Sequence, residues 1–272
     1  MFSFNSILFV GQKRKQNRLD EHWDDYKGGT CYTYEFKNEP DTDFILEANR
    51  KWAGQIRDKW MKGSVDTLSA IPVVIGGEEL YGDREVVDRI DKSQLKDKVL
   101  CGKYTKSTAE DLKKAVDIAA EDPDSWRKLT RRQRHEIFAK VAIEVRKRRG
   151  DLIGVAAAEV GKVFTETDVE VSEAVDFVEF YSQSTRYFEE HKNLSFKGKG
   201  VGLVTPPWNF PIAIPLGGVA ASLAAGNTVI IKPASDAVLC AYEMCKCFWA
   251  AGVSKNTLQF VPCPGALAGE HL

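Results

Sequence analysis

The sequence lacks most of the compositional signals that would give away a function. Thirty-eight basic side chains stand against thirty-nine acidic ones, a formal charge of -1. No global field therefore favours nucleic acid, anionic lipid or a polyanionic substrate. The six cysteines (Cys31, Cys101, Cys240, Cys245, Cys247, Cys263) are too sparse and irregular for a disulfide framework. With only four histidines they show no zinc-ligand spacing, so reduced thiols and no metal site are expected. A secretory signal is missing as well: the apolar patch at residues 7–10 precedes the basic cluster instead of following it, which reads as a cytoplasmic chain. No internal repeat or low-complexity block appears.

What the sequence does have is material for a core. Apolar residues make up 43% and aromatics 10% of 272 positions, enough for one large domain or two ordinary ones. Residues 1–40 show no stable period and read as a tail or peripheral segment. A helix is expected over 43–61, with Phe44, Ile45, Ala48, Trp52, Ile56 and Trp60 near one stripe. IPVVIGGEEL at 71–80 reads as a strand and glycine turn, consistent with a hairpin. STAE at 107–110 fits a capping box, and TRRQ at 130–133 a second one, opening a helix that Gly150 is expected to stop. That second helix is strongly basic; without interleaved aromatics or hydroxyls its charges read as a solvated outer face and not as a nucleic-acid groove. A long helix is expected from about 168 to 191.

From Gly200 to Ile231 there is no charged side chain, in a chain where 28% of residues carry one. A membrane span needs about 20 apolar residues with a closed backbone, and here Pro206, Pro207, Pro211 and Pro215 interrupt. The stretch instead reads as a strand (VGLV), a turn and a buried helix over 211–225. A strand at 228–232, a helix at 237–251 and a strand at 257–261 follow, with Gly226 and Gly252 closing the two helices. The fold class is therefore α/β: a partial doubly wound parallel sheet (βαβαβ) preceded by a mainly helical segment.

In open parallel sheets ligands bind beyond the carboxyl ends of the strands. The TPPWNFP turn occupies that place, and Asn209 offers a neutral amide to an oxygen gaining negative charge; capping the following helix is the equally open alternative. Lys232 ends the second strand, where it can reach ribose hydroxyls or phosphate, although lysines at strand ends are common. Gly265 and Gly269 precede an expected helix, but G-x-x-x-G is not the Rossmann fingerprint. Cys245 and Cys247 point about 200° apart on a helix, so they read as packing residues and not as metal ligands. No cysteine has a setting that would activate its thiolate.

VGLVTPPWNFPIAIPLGGVAASLAAGNTVIIKPAS resembles the central signature of the aldehyde dehydrogenase superfamily in order and spacing. FKNEPDTD (36–43), EVSEAVDFVEFY (170–181) and LQFVPCPG (258–265) are similar to the 1-pyrroline-5-carboxylate dehydrogenase part of bacterial bifunctional proline-utilisation enzymes. The resemblance covers residues 36–272: a helical and hairpin part over 36–199 and an incomplete NAD-binding part over 200–272, with 1–35 unassigned.

That resemblance implies NAD(P)-dependent oxidation of an aldehyde, here L-glutamate γ-semialdehyde, through a cysteine thiohemiacetal. Asn209 matches the asparagine that stabilises the oxyanion, a donor worth about 3 kcal/mol in such sites. Pro206, Pro207 and Trp208 match the lining of the nicotinamide end, and Lys232 the ribose-binding lysine. Gly265 and Gly269 match glycines beside the adenine and pyrophosphate, although Ala266 stands where many relatives have proline. Glu173 and Phe210 match positions that contact the semialdehyde, the glutamate toward its ammonium. Ser235 replaces the glutamate of many NAD-specific relatives, which leaves NAD against NADP open, with NAD preferred. The chain stops before the family's glycine-rich loop, general-base glutamate and nucleophilic cysteine. It is therefore expected to be an N-terminal portion that is inactive alone and homo-oligomeric when complete; a non-catalytic nucleotide-binding or assembly module is the alternative. A parallel sheet ending after three strands is also expected to leave an unpaired edge.

Overall fold

The computed structural model describes residues 15–23, 36–61, 69–96 and 98–272. Readings that concern the first fourteen residues and Cys31 lie outside these. The elements are α1 (Glu47–Trp60), β1 (Ala70–Ile71), β2 (Val73–Ile75), β3 (Glu78–Leu80), β4 (Val86–Ile90), β5 (Leu100–Thr105), α2 (Ala109–Glu121), α3 (Arg131–Lys147), α4 (Arg149–Val160) and α5 (Phe164–Glu190), followed by β6 (Val201–Val204), α6 (Ala213–Ala224), β7 (Thr228–Ile231), α7 (Val238–Ala250), β8 (Leu258–Phe260) and α8 (Gly265–His271).

The expected βαβαβ unit is present as β6-α6-β7-α7-β8. Its strands pair in parallel, with Val204 opposite Ile231 and Ile231 opposite Phe260. Every residue of β7 is buried, and the pleat divides them between two cores. Val229 and Ile231 pack with α6 and α7; Ile230 faces Leu112, Ala115 and Ala119 of α2 on the other side. Burial on both faces is why Val229, Ile230 and Ile231 run on without a polar residue between them, each large side chain adding roughly 2 kcal/mol. The second face is covered by α2, which precedes the unit in sequence.

The hairpin of β2 and β3 turns through Gly76 and Gly77, both at positive φ (61° and 81°), the backbone that tight hairpins require. It then joins the parallel sheet antiparallel to β8, Val74 opposite Phe260, giving the order β3-β2-β8-β7-β6. The sheet is therefore extended past β8, while β6 stays at the end of the order beside β7 alone, an edge of the kind expected. Gln259, fully buried in β8, ties the junction together: its amide donates to the Ala115 carbonyl at 2.8 Å and its oxygen accepts from Gly76 N at 3.1 Å. Strands β1, β5 and β4 form a separate small sheet.

Several local expectations shift. The first capping box is one residue later, at Thr108 and Asp111, and Asp111 also takes a bidentate contact from Arg84. The second, Thr130 with Gln133, stands as expected. Gly150 does not stop the chain's helicity: α3 ends at Lys147 and Gly150 lies in the first turn of α4, against Ile56 and Trp52. The basic face of α3 is not wholly solvated. Arg146, and Arg149 at the start of α4, are buried, Arg146 pairing with Glu39 and Glu179 and Arg149 with Glu39 and Asp168, as charges at such depth must. Part of the N-terminal segment also packs: buried Arg18 donates to Thr42 Oγ1 and the Pro40 carbonyl. Cys245 and Cys247 are fully buried packing residues.

Candidate active site

Three loops leave the same edge of the sheet. Residues 205–212 follow β6, 232–237 follow β7 and 261–264 follow β8. Lys232 N donates to Val204 O at 2.9 Å and Val261 N to Ile231 O at 3.0 Å, so the ladder holds the three exits side by side. This is the carboxyl edge where the switch from strand to helix leaves room for ligands.

The turn that carries Asn209 is held from below by α5 and the segment before it. Glu170 is completely buried; its Oε1 accepts from Ile212 N at 2.6 Å and Ala213 N at 2.9 Å, the first unpaired amides of α6. Its other oxygen accepts from Lys162 Nζ at 2.6 Å. Lys162 in turn donates to the Asn209 carbonyl at 3.3 Å and stands 4.0 Å from the centre of the Phe210 ring. Helix α6 begins after Ile212 and takes its cap from Glu170, so Asn209 does not cap it. The exposed Asn209 side chain has no hydrogen-bond partner among the described residues and is left for solvent or ligand.

Trp208 and Phe210 are exposed at 55% and 42%. Pro206 is half-buried and Pro207 exposed on the approach. Glu173, one turn beyond Glu170 on α5, is exposed, whereas Phe177 on the same helix rests against Gly217 of α6. Glu173 takes no part in the anchor of the turn. On the β7 exit Lys232 is half-buried and Ser235 exposed. Burial pushes the Cys263 thiol up and the Lys232 charge pulls it back, which makes Lys232 an electrostatic neighbour of the β8 exit. Gly265 opens α8, and Gly269 lies inside that helix instead of before it as expected. At both glycines a Cβ would meet nothing within 4 Å, so bare backbone faces open space.

The exit after β7 has its own buried anchor. Glu159, fully buried, accepts from Leu239 N at 3.0 Å and Cys240 N at 2.9 Å at the start of α7. Arg89 Nε faces it at 3.3 Å; even so, burial outweighs these contacts and pushes its carboxyl above the usual range. Glu170, Lys162 and Glu159 escaped the sequence reading. Glu170 had a signal: it lies four residues before Ala174 on the inward stripe with Val171, where a carboxylate needs a reason.

The five described cysteines are all buried. Burial pushes Cys101 and Cys247 up to about 12, and Cys240 and Cys245 well above the normal thiol value. None is an available nucleophile. Among the described residues no helix is long and apolar enough to cross a membrane.

Residues 83–272 match the model of the aldehyde dehydrogenase family. The chain is 32% identical over 251 residues to the 1-pyrroline-5-carboxylate dehydrogenase of Staphylococcus haemolyticus, covering 87% of this chain and 47% of that protein. It is 33% identical over 247 residues to the enzyme of the same name from Geobacillus, with the same coverage. Among solved structures, 1-pyrroline-5-carboxylate dehydrogenase from Thermus with bound NAD superimposes with a TM-score of 0.78 at 28% identity, covering 87% of this chain and 47% of that one. Proline utilization A from Bdellovibrio bacteriovorus, inactivated by N-propargylglycine, gives 0.79 at 30% identity, over 87% and 25%. The chain spans about half the length of the curated relatives it matches.

Proposed function

The chain belongs to the aldehyde dehydrogenase family, and on that premise we propose that it forms part of an enzyme that oxidises L-glutamate γ-semialdehyde to glutamate with NAD. The observation that carries this reading is the division of labour at the TPPWNFP turn. Glu170 takes the helix amides that Asn209 would otherwise cap, and the Asn209 amide stays exposed at the carboxyl edge. A neutral donor on a backbone held by Lys162 stabilises a carbonyl oxygen as it becomes negative.

The other residues follow from position. Lys232 and Ser235, after β7, hold the ribose; Gly265 and Gly269 let backbone approach the pyrophosphate; Pro206, Pro207 and Trp208 line the nicotinamide end. Phe210 packs against the aldehyde and Glu173 meets the substrate ammonium. NAD, when bound, supplies the hydride acceptor. The chain's residues orient the two reactants and exclude water from the Phe210 side. The described thiols are too deeply buried to attack a carbonyl, so these residues by themselves bind without turning over. That observation also favours the second reading, a nucleotide-binding module without catalysis.

Calorimetric titration of NAD into the purified chain, paired with an absorbance assay for reduced cofactor in the presence of semialdehyde, tests both. Saturable NAD binding that Lys232→Ala weakens at least about tenfold, the value of one charge-assisted contact, and that Asn209→Ala leaves intact, is the expected result. Absence of binding, or binding indifferent to Lys232, removes the proposed site; turnover by the chain removes the claim that it only binds.

A further inference from the structure

We propose that a cavity at the opposite end of the sheet binds a small phosphate-class anion. It has a volume of about 660 Å³ and is lined by Arg127, Arg131, Arg134 and Lys197, with Phe188 and Phe196 on one wall. Gly226, which also lines it, comes just before β7, whereas Asn209 and Lys232 follow the ends of β6 and β7. Helix α6 runs from the candidate active site to this cavity; its 12 residues separate the two by about 18 Å. The two sites are therefore distinct.

The described residues that line the cavity include four cations and no carboxylate. Arg134 shows how the charge is kept there. It is only 8% exposed, and its guanidinium donates to the Ala224 carbonyl at 3.2 Å and the Leu129 carbonyl at 2.5 Å. Both acceptors are neutral, so they orient the group without cancelling its charge. Gly226, at a φ of 87°, lets the guanidinium lie against the main chain: a Cβ there would come within 3.3 Å of Nη1. Burial, and then repulsion from Arg131, lower the Arg134 pKa.

Capping the carboxyl end of α6 accounts for Arg134 alone. It does not account for Lys197, brought in from the loop after α5; Arg127 caps the carboxyl end of α2 through the Ala119 and Ala120 carbonyls and pairs with Asp122 at 3.7 Å, and still lines the cavity. Cations from three separate segments converge on one concave space. Guanidinium forks match phosphate oxygens in pairs, and a partly desolvated site strengthens each contact. Phe188 and Phe196 stack at 4.7 Å beneath the Arg131 guanidinium, forming a wall against which an apolar part of the ligand can lie.

The test is calorimetric titration of inorganic pyrophosphate into the purified 272-residue chain at low ionic strength, with and without saturating NAD. One saturable site is expected, with an affinity that NAD does not change. Lys197→Glu, in an exposed loop, should weaken it at least about tenfold, and Arg127→Gln by a similar factor. Circular dichroism of each variant separates loss of binding from loss of fold. No saturable heat, displacement by NAD, or full affinity in folded Lys197→Glu would each overturn the proposal.

Discussion

Glu170 Oε1 accepts the amide of Ile212 at 2.6 Å, so a carboxylate on one helix caps the start of another that is forty-two residues away. The same device recurs where Glu159 receives the amides of Leu239 and Cys240. In both crossovers the capping oxygen comes from the helical layer. The loops at the carboxyl edge are thereby freed from holding their own helices.

Glu170→Ala should destabilise the chain by about 3 kcal/mol, since it strips the acceptor from two buried amides and leaves Lys162 unpaired. Glu170→Gln, which keeps one acceptor, should lose about half as much. Urea midpoints measure both, and limited proteolysis should open first at 205–212. Equal stability of the alanine variant and the parent would show that the anchor carries nothing.

Asp111 gives a pH dependence of definite sign. Burial alone would raise its carboxyl, but the Arg84 guanidinium and the Thr108 amide outweigh that and hold it below its ordinary 3.8. A depressed folded value means stabilisation is present above about pH 4 and is lost as pH falls through the folded value. The stability gap between the parent and Asp111→Asn should therefore be constant near neutrality and narrow in acid. A gap that widened below pH 4 would contradict the assignment.

Gly154 is where α4 meets α1. A Cβ there would stand 2.0 Å from Trp60 Cδ1, on an indole that is 4% exposed. Gly154→Ala should cost about 2 kcal/mol despite alanine's better helix propensity, because the buried indole must be pushed out of its packed position. A red shift of tryptophan emission should accompany the loss.

The thiols provide a direct probe of burial. In the native chain a small aromatic disulfide reagent should label at most one cysteine rapidly, Cys31 lying outside the described residues, and all six in denaturant. Rapid labelling of two or more would mean that α7 or the Cys101 and Cys263 regions open readily.

The parallel unit could be read from its residues for a local reason. Strands buried on both faces are mostly apolar, and helices that end on a left-handed residue favour glycine; Gly226 and Gly252 adopt φ of 87° and 100°. The Thr130 cap and the β2–β3 turn are equally local. The Asn209 alternative was not local, because whether it caps α6 depends on what else reaches Ile212 N. Arg146 and Arg149 looked like a wet face for the same reason: their partners Glu39, Glu179 and Asp168 lie elsewhere in the sequence.

By itself, then, the order of residues determined the alternation of strand and helix, the charge-free wall and the positions of Asn209 and Lys232 at strand exits, since each rests on neighbours within a few positions. Only the tertiary structure decided that β2 extends the sheet past β8, that Glu170 and Glu159 cap the crossover helices and that four cations share one cavity. Those outcomes depend on which distant groups meet, and a buried charge or an open strand edge takes whatever partner the packing brings to it.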